Sequence, residues 1–476
     1  MFGHVASLTI YDPTDAPGGA GVEATKQKIL ERIDELAPFR RRLVEVPFGL
    51  DLPYWVEDPS FDLDFHVRHH AVPPPGSPQQ LAEVVSRIHA RQLDRSRPLW
   101  ELYVIEGVDN GTRIAQVTKV HHAAIDGAAG ALMLAAMLDV ERDARPAGEP
   151  AEWSPDPIPG DLELLGRTMT QYARRPEKFI RLSVKTLREL GWLTRSAGML
   201  ALADLVAQPV PGPIGDLLRR RLRDAPNEVD HPPPLPPTAA PRTPWNASIT
   251  PHRRFAYTTI PLEEAKKIRR AAGCTFNDVV LAVCSGALRR YLLEHACLPD
   301  ENLIAMVPVS VRSGAESETY ENRVSLVLAD LATSEPDPVA RLERVQQSMS
   351  AAKSRFAAIP AESLQDFASF APPAVVARAM RMYSRLRVAD RTAPPFNLVI
   401  SNVPGPPMPL YFAGAELEHF YPISALTDGQ GLNMTVQSYN GNLDFGFVAC
   451  RELVPDLWRM TDLLHESMEE LLGATT

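Results

Sequence analysis

The chain has 476 residues, is 45% apolar and 23% charged, and carries a net charge of −10. That length supports two or three domains with real cores, and the acidic balance argues against a nucleic-acid partner. Four cysteines with no C-x-x-C pair are too few for a disulfide framework, so reduced thiols and a cytoplasmic location are expected. No apolar run approaches the ~20 residues that span a bilayer, and Met1-Phe2-Gly3-His4 shows neither the basic nor the apolar region of a secretory leader.

Residues 5–11 alternate weakly and read as a strand, and 22–36 carry apolar side chains at helical spacing up to Pro38. A second strand is expected from Phe39-Arg40-Arg41-Arg42-Leu43. A helix follows over 78–93 with Leu81, Val84, Val85 and Ile88 on one face, then strands at 101–106 and 113–120. A small-residue helix starts near Gly127. Residues 161–205 read as an amphipathic helix broken at Pro176, with eight basic against four acidic residues between 161 and 200. One reading is a surface helix packed on its own domain; the other is a helix lying on a membrane or lipid-droplet surface.

Prolines crowd residues 209–252, including His231-Pro232-Pro233-Pro234, and predict an extended linker. A second mixed domain follows. It has a strand at 255–260, a helix over 262–272 ended by Gly273, and a helix capped by Thr275. Beyond these come a strand at 306–310, a helix at 337–357, a strand at 398–403 stopped by Pro404-Gly405, a hairpin on Asn440-Gly441, and a closing helix near 454–472. Strands mixed with helices in both halves imply a mixed α/β (α+β) fold. The domains read as 1–208, a linker 209–252, and 253–476. No G-x-G-x-x-G is present.

Chemistry concentrates in Lys119-Val120-His121-His122-Ala123-Ala124-Ile125-Asp126-Gly127. Adjacent histidines on a strand point to opposite faces, which disfavours a shared metal ion, and no H-E-x-x-H or cysteine pair supplies further ligands. Two readings remain: histidines satisfied in a polar core, or a division of labour in which one is a general base and its neighbour packs. There is no G-x-S-x-G elbow, so a base would activate the acceptor itself.

The run His121-His122-Ala123-Ala124-Ile125-Asp126-Gly127 resembles the HHxxxDG signature of the coenzyme-A-dependent acyltransferases, a superfamily that includes chloramphenicol acetyltransferases and peptide-synthetase condensation domains. Pro98-Leu99-Trp100-Glu101 precedes that run, and Thr275-Phe276-Asn277-Asp278-Val279-Val280-Leu281-Ala282, Ser401-Asn402-Val403-Pro404-Gly405-Pro406 and Leu432-Asn433-Met434-Thr435-Val436-Gln437-Ser438-Tyr439-Asn440-Gly441 follow it in order. Together they resemble the bacterial wax ester synthase/diacylglycerol acyltransferase family over nearly the whole chain. The resemblance implies two chloramphenicol-acetyltransferase-like subdomains with a tunnel between them. The implied activity moves a long acyl group from acyl-CoA, a substrate, to diacylglycerol or a fatty alcohol, without metal or prosthetic group. Beside the cytoplasm, a peripheral place at the inner face of a membrane or on lipid inclusions is a further expectation, from the amphipathic stretch 161–205. A polyketide or cell-wall lipid alcohol as acceptor, or a weakly catalytic lipid-binding protein, is the alternative. Family members carry a proline-serine-proline-aspartate-like leader before the first strand. This sequence starts almost at that strand, so a less complete acyl pocket is expected.

By the same resemblance His122 is the general base, with His121 as its packing neighbour. Gly127 allows a tight backbone at the helix entry, and Asp126 holds the loop through a buried ion pair to Arg40 or Arg42. Asn277, at a helix start in the second half, is the candidate oxyanion donor, with helix capping as its alternative role. Pro98-Leu99-Trp100 is expected in the core. Ser401–Pro406 is expected to form a corner near the domain seam, and Gly431–Tyr439 the segment that crosses between subdomains.

Overall fold

The computed structural model describes residues 3–16, 18–124, 136–143, 153–155, 157–174, 240–310, 324–357 and 380–475. The first half supplies β1 (His4–Asp12), α1 (Val22–Arg32), β2 (Arg41–Val44), β3 (Tyr54–Glu57), β4 (Val67–Ala71), α2 (Pro78–Ala90), β5 (Trp100–Val108), β6 (Arg113–His121) and α3 (Asp161–Arg174). The second half supplies β7 (Arg253–Pro261), α4 (Leu262–Ala272), α5 (Phe276–Glu294), β8 (Ile304–Ser310), β9 (Val324–Asp330) and α6 (Pro338–Ala357). It continues with β10 (Leu398–Val403), β11 (Tyr411–Phe412), β12 (Ala415–Ile423), β13 (Leu432–Tyr439), β14 (Asn442–Cys450) and α7 (Leu457–Thr475).

Two six-stranded sheets result, in the orders β11-β12-β1-β6-β5-β4 and β7-β14-β13-β10-β8-β9, with β2 and β3 as a separate hairpin. Asn440 and Gly441 both take positive φ, which is what lets a two-residue turn join β13 to β14. Gly273 ends α4 in the left-handed conformation.

β12 belongs to the second half of the sequence but pairs with β1, Ala6 opposite Ile423. The crossing between halves is therefore made by residues 411–423. The expectation for 431–439 is corrected: β13 hydrogen-bonds to β14 and β10 inside the second sheet. Of the residues read as a linker, 240–252 are described, and they pack on the second half. Trp245 is buried there, and the Asn246 amide donates to Asn397 O at 2.9 Å and Gly429 O at 2.8 Å.

Between the sheets lies α2. Ser77 caps it in a reciprocal bond with Gln80, worth about 1 kcal/mol. Its buried Leu81, Val84, Val85 and Ile88 are worth about 1.5–3 kcal/mol each, so packing rather than the cap fixes the helix. These side chains share a core with Leu8 and Val117 of the first sheet and with Phe255, Tyr257 and Val448 of the second. Further along the seam β12 crosses β14 so closely that a Cβ on Gly446 would overlap the Pro422 carbonyl oxygen. The Tyr439 hydroxyl ties the crossing down, donating to Leu417 O at 2.9 Å and accepting from Leu410 N–H at 2.8 Å.

Candidate active site

His121 is the last residue of β6, directly opposite His4 of β1. One step further the chain turns: His122 N–H donates to Gly3 O at 2.8 Å and Ala124 N–H to His121 O at 2.9 Å. On the other side His121 N–H reaches Leu99 O at 2.9 Å. Both neighbouring strands thus hold the backbone of the histidine pair, and the side chains divide as their alternation requires. His121 is half-buried; His122 is exposed. Ala123 N–H donates to His121 Nδ1 at 3.1 Å, which leaves the proton of the neutral ring on Nε2. Burial, and then Arg95 and His122, hold the His121 pKa below its ordinary value. His121 is thus neutral and held in place, and His122 beside it is exposed.

A buried polar layer lies behind the pair. His4 Nε2–H donates to His89 O at 2.6 Å, at the end of α2. Burial first, then Lys119, lowers the His4 pKa to about 4; His89 is pushed well down by burial and by His4. Lys119 is wholly buried and donates to Ile88 O at 3.2 Å and Arg91 O at 2.6 Å, with Glu101 at 3.5 Å. Trp100 packs between Phe39 and His66 and donates its indole N–H to Phe39 O at 2.9 Å, as the core reading expects. Across the seam Ser424 Oγ meets Thr435 Oγ1 at 2.9 Å, and Thr435 donates to Asn433 Oδ1 at 2.8 Å.

In the second half, Thr275 and Asp278 form a complete capping box, with Asp278 N–H on Thr275 Oγ1 at 3.3 Å and Thr275 N–H on Asp278 Oδ2 at 2.9 Å. That settles which of two neighbouring polar residues caps α5. The Asn277 Nδ2 group is left buried without a hydrogen-bond partner among the described residues. A buried amide without an acceptor is costly unless a ligand oxygen completes it.

Asp126 and Gly127 lie outside the described residues, and so does the helix expected from Gly127 as far as residue 135. Of the candidate partners of Asp126, Arg40 donates to Asp34 Oδ1 at 2.9 Å, and Arg42 to Ser96 O at 3.1 Å with Asp58 Oδ1 at 3.9 Å; a pair with Asp126 falls outside the described residues. Residues 401–406 lead from the end of β10 towards β11, so that corner does sit at the crossing. Among the described residues no group of three His, Cys, Asp or Glu side chains is placed to hold a metal ion. A surface concavity lined by Pro13, Glu106, Gly107 and Arg113 lies at the hairpin end of β5 and β6, a strand length of roughly 25 Å from the histidines. Sequence reasoning missed Gly3 and His4. Their signal is the β1–β6 register, which no local pattern reveals.

Two sheets joined by an exchanged strand, with a histidine pair at a strand end, make a condensation-domain-like fold. The starter condensation domain of rhizomide synthetase shares this fold at a TM-score of 0.51 and 14% identity, over 98% of this chain and 90% of that one. More specifically, residues 1–280 match the wax ester synthase/diacylglycerol acyltransferase catalytic domain and residues 320–472 the WS/DGAT C-terminal domain, and the chain belongs to this family of acyltransferases. The probable diacylglycerol O-acyltransferase tgs2 of Mycobacterium tuberculosis is 37% identical over 98% of this chain and 94% of its own length. The solved wax ester synthase/diacylglycerol acyltransferase of Marinobacter aquaeolei VT8 matches with a TM-score of 0.67 and 30% identity, covering 100% of this chain and 95% of that one.

Proposed function

We propose that this enzyme transfers a long acyl chain from acyl-CoA to the hydroxyl of diacylglycerol or of a long-chain alcohol, with His122 as the general base. The observation that carries the proposal is the unequal pair at the end of β6, one imidazole fixed and neutral, the other accessible. His122 takes the proton of the acceptor hydroxyl as its oxygen attacks the thioester carbonyl. The tetrahedral oxyanion accepts a hydrogen bond from Asn277 Nδ2–H. Collapse breaks the C–S bond, and the CoA thiolate recovers the proton from His122. No acyl-enzyme forms and no cofactor takes part.

Both acceptors are insoluble in water, so the enzyme works at a lipid surface: the inner face of a membrane or a lipid inclusion. Support comes from the β2–β3 hairpin, where Phe48 is 84% exposed and Leu52 also faces solvent, beside Leu162 of α3, 86% exposed. Among the described residues no single helix is long and apolar enough to cross a membrane. The test supplies labelled palmitoyl-CoA with dioleoylglycerol, hexadecanol or no acceptor. Labelled triacylglycerol or wax ester supports the proposal; a product on neither acceptor, or acyl transfer only to an unrelated alcohol, overturns it.

A further inference from the structure

We infer that Gly3 is a positioning residue for the catalytic turn, and that the absence of its side chain is what seats the His121 imidazole and through it His122. This rests on the reading of His122 as the base. A Cβ built on Gly3 would lie 2.9 Å from His121 Nε2, closer than Cβ atoms come in real proteins, and 3.1 Å from Cε1, a tight contact. The ring therefore lies directly over the Gly3 backbone. The three atoms nearest to an alanine Cβ at this position all belong to that ring.

The neighbouring bonds decide which partner yields. Gly3 O is held by His122 N–H at 2.8 Å, and the next residue is anchored through His4 Nε2–H to His89 O at 2.6 Å. The strand is pinned from both sides, so the imidazole must swing. Swinging the ring breaks the Ala123 N–H bond to Nδ1 and loosens the turn that begins with His122. A misplacement of about 1 Å in reacting groups can cost on the order of 100-fold in rate. The shift forced here is smaller, and a fall of about tenfold in kcat is expected.

The experiment uses the enzyme with palmitoyl-CoA and dioleoylglycerol, comparing wild type with Gly3→Ala, His121→Ala, the Gly3→Ala/His121→Ala double variant and His122→Ala. Gly3→Ala is expected to lower kcat about tenfold with KM within about twofold of wild type, and to cost nothing further once His121 is alanine. An equal fall in kcat in both backgrounds overturns the inference, because the ring would then not be what the glycine accommodates. If Gly3→Ala alone does not fold, the double variant decides: recovery of folding upholds the ring clash, and failure of both overturns it. A folded His122→Ala variant that keeps its activity defeats the base assignment instead, whatever Gly3→Ala does.

Discussion

His4 sits at the junction of β1, β6, α2 and β7, and its burial makes the seam sensitive to pH. It faces Lys119 and His121 on β6, His89 on α2 and Arg253 on β7. In the folded chain its pKa is lowered to about 4, against about 6.5 in the unfolded chain. A lowered histidine pKa means that the unfolded state binds the proton first, so stability is full above about pH 6.5 and is lost as pH falls towards 4. Each pH unit below about 6.5 costs about 1.4 kcal/mol for one such group, so by about pH 5 His4 alone removes about 2 kcal/mol. His89, lowered for the same reason, adds to the loss. His4→Gln keeps an N–H for the His89 carbonyl but cannot titrate. Urea unfolding at about pH 8 and about pH 5 should therefore show a loss smaller by about 2 kcal/mol in His4→Gln than in wild type. Equal losses in the two proteins would refute the assignment of the seam's acid sensitivity to His4.

Three further outcomes follow from the geometry. Asn277→Ala should lower kcat by about 10²–10³-fold with little change in Tm, whereas Asp278→Ala should cost about 1 kcal/mol of stability through the lost cap and spare the rate; the reverse pattern would exchange their roles. Gly446→Ala should destabilise the chain by about 1–3 kcal/mol in chemical denaturation, because its Cβ overlaps the Pro422 carbonyl, and an unchanged midpoint would contradict the close crossing. Tyr439→Phe strands Leu417 O and Leu410 N–H, and a loss of about 1–3 kcal/mol is expected in the same assay.

Local chemistry announced much of this fold. Asn440-Gly441 demanded a tight turn, Gly273 a helix end, and Thr275 with Asp278 a helix start, and each is where its backbone preference puts it. What could not be read locally was pairing at long range. β12 joins residues 415–423 to a strand at residues 4–12, and nothing in its own side chains distinguishes one sheet from the other. Prolines near residue 240 say nothing about burial, and Trp245 with Asn246 packs residues 240–252 down on the second half. The site divides the same way. His121 and His122 stand out in sequence, and so does Asn277. The residues that hold the pair, Gly3 and His4, are ordinary until the register of β1 against β6 sets them opposite.

The central claim is that an accessible His122 abstracts the acceptor proton while His121 stays neutral and fixed. The direct measurement is kcat for transfer of the palmitoyl group from palmitoyl-CoA to dioleoylglycerol by purified His122→Ala, with folding checked by its Tm. A fall of about 10²–10⁴-fold at an unchanged Tm is the predicted result; turnover close to wild type in the folded variant would contradict it.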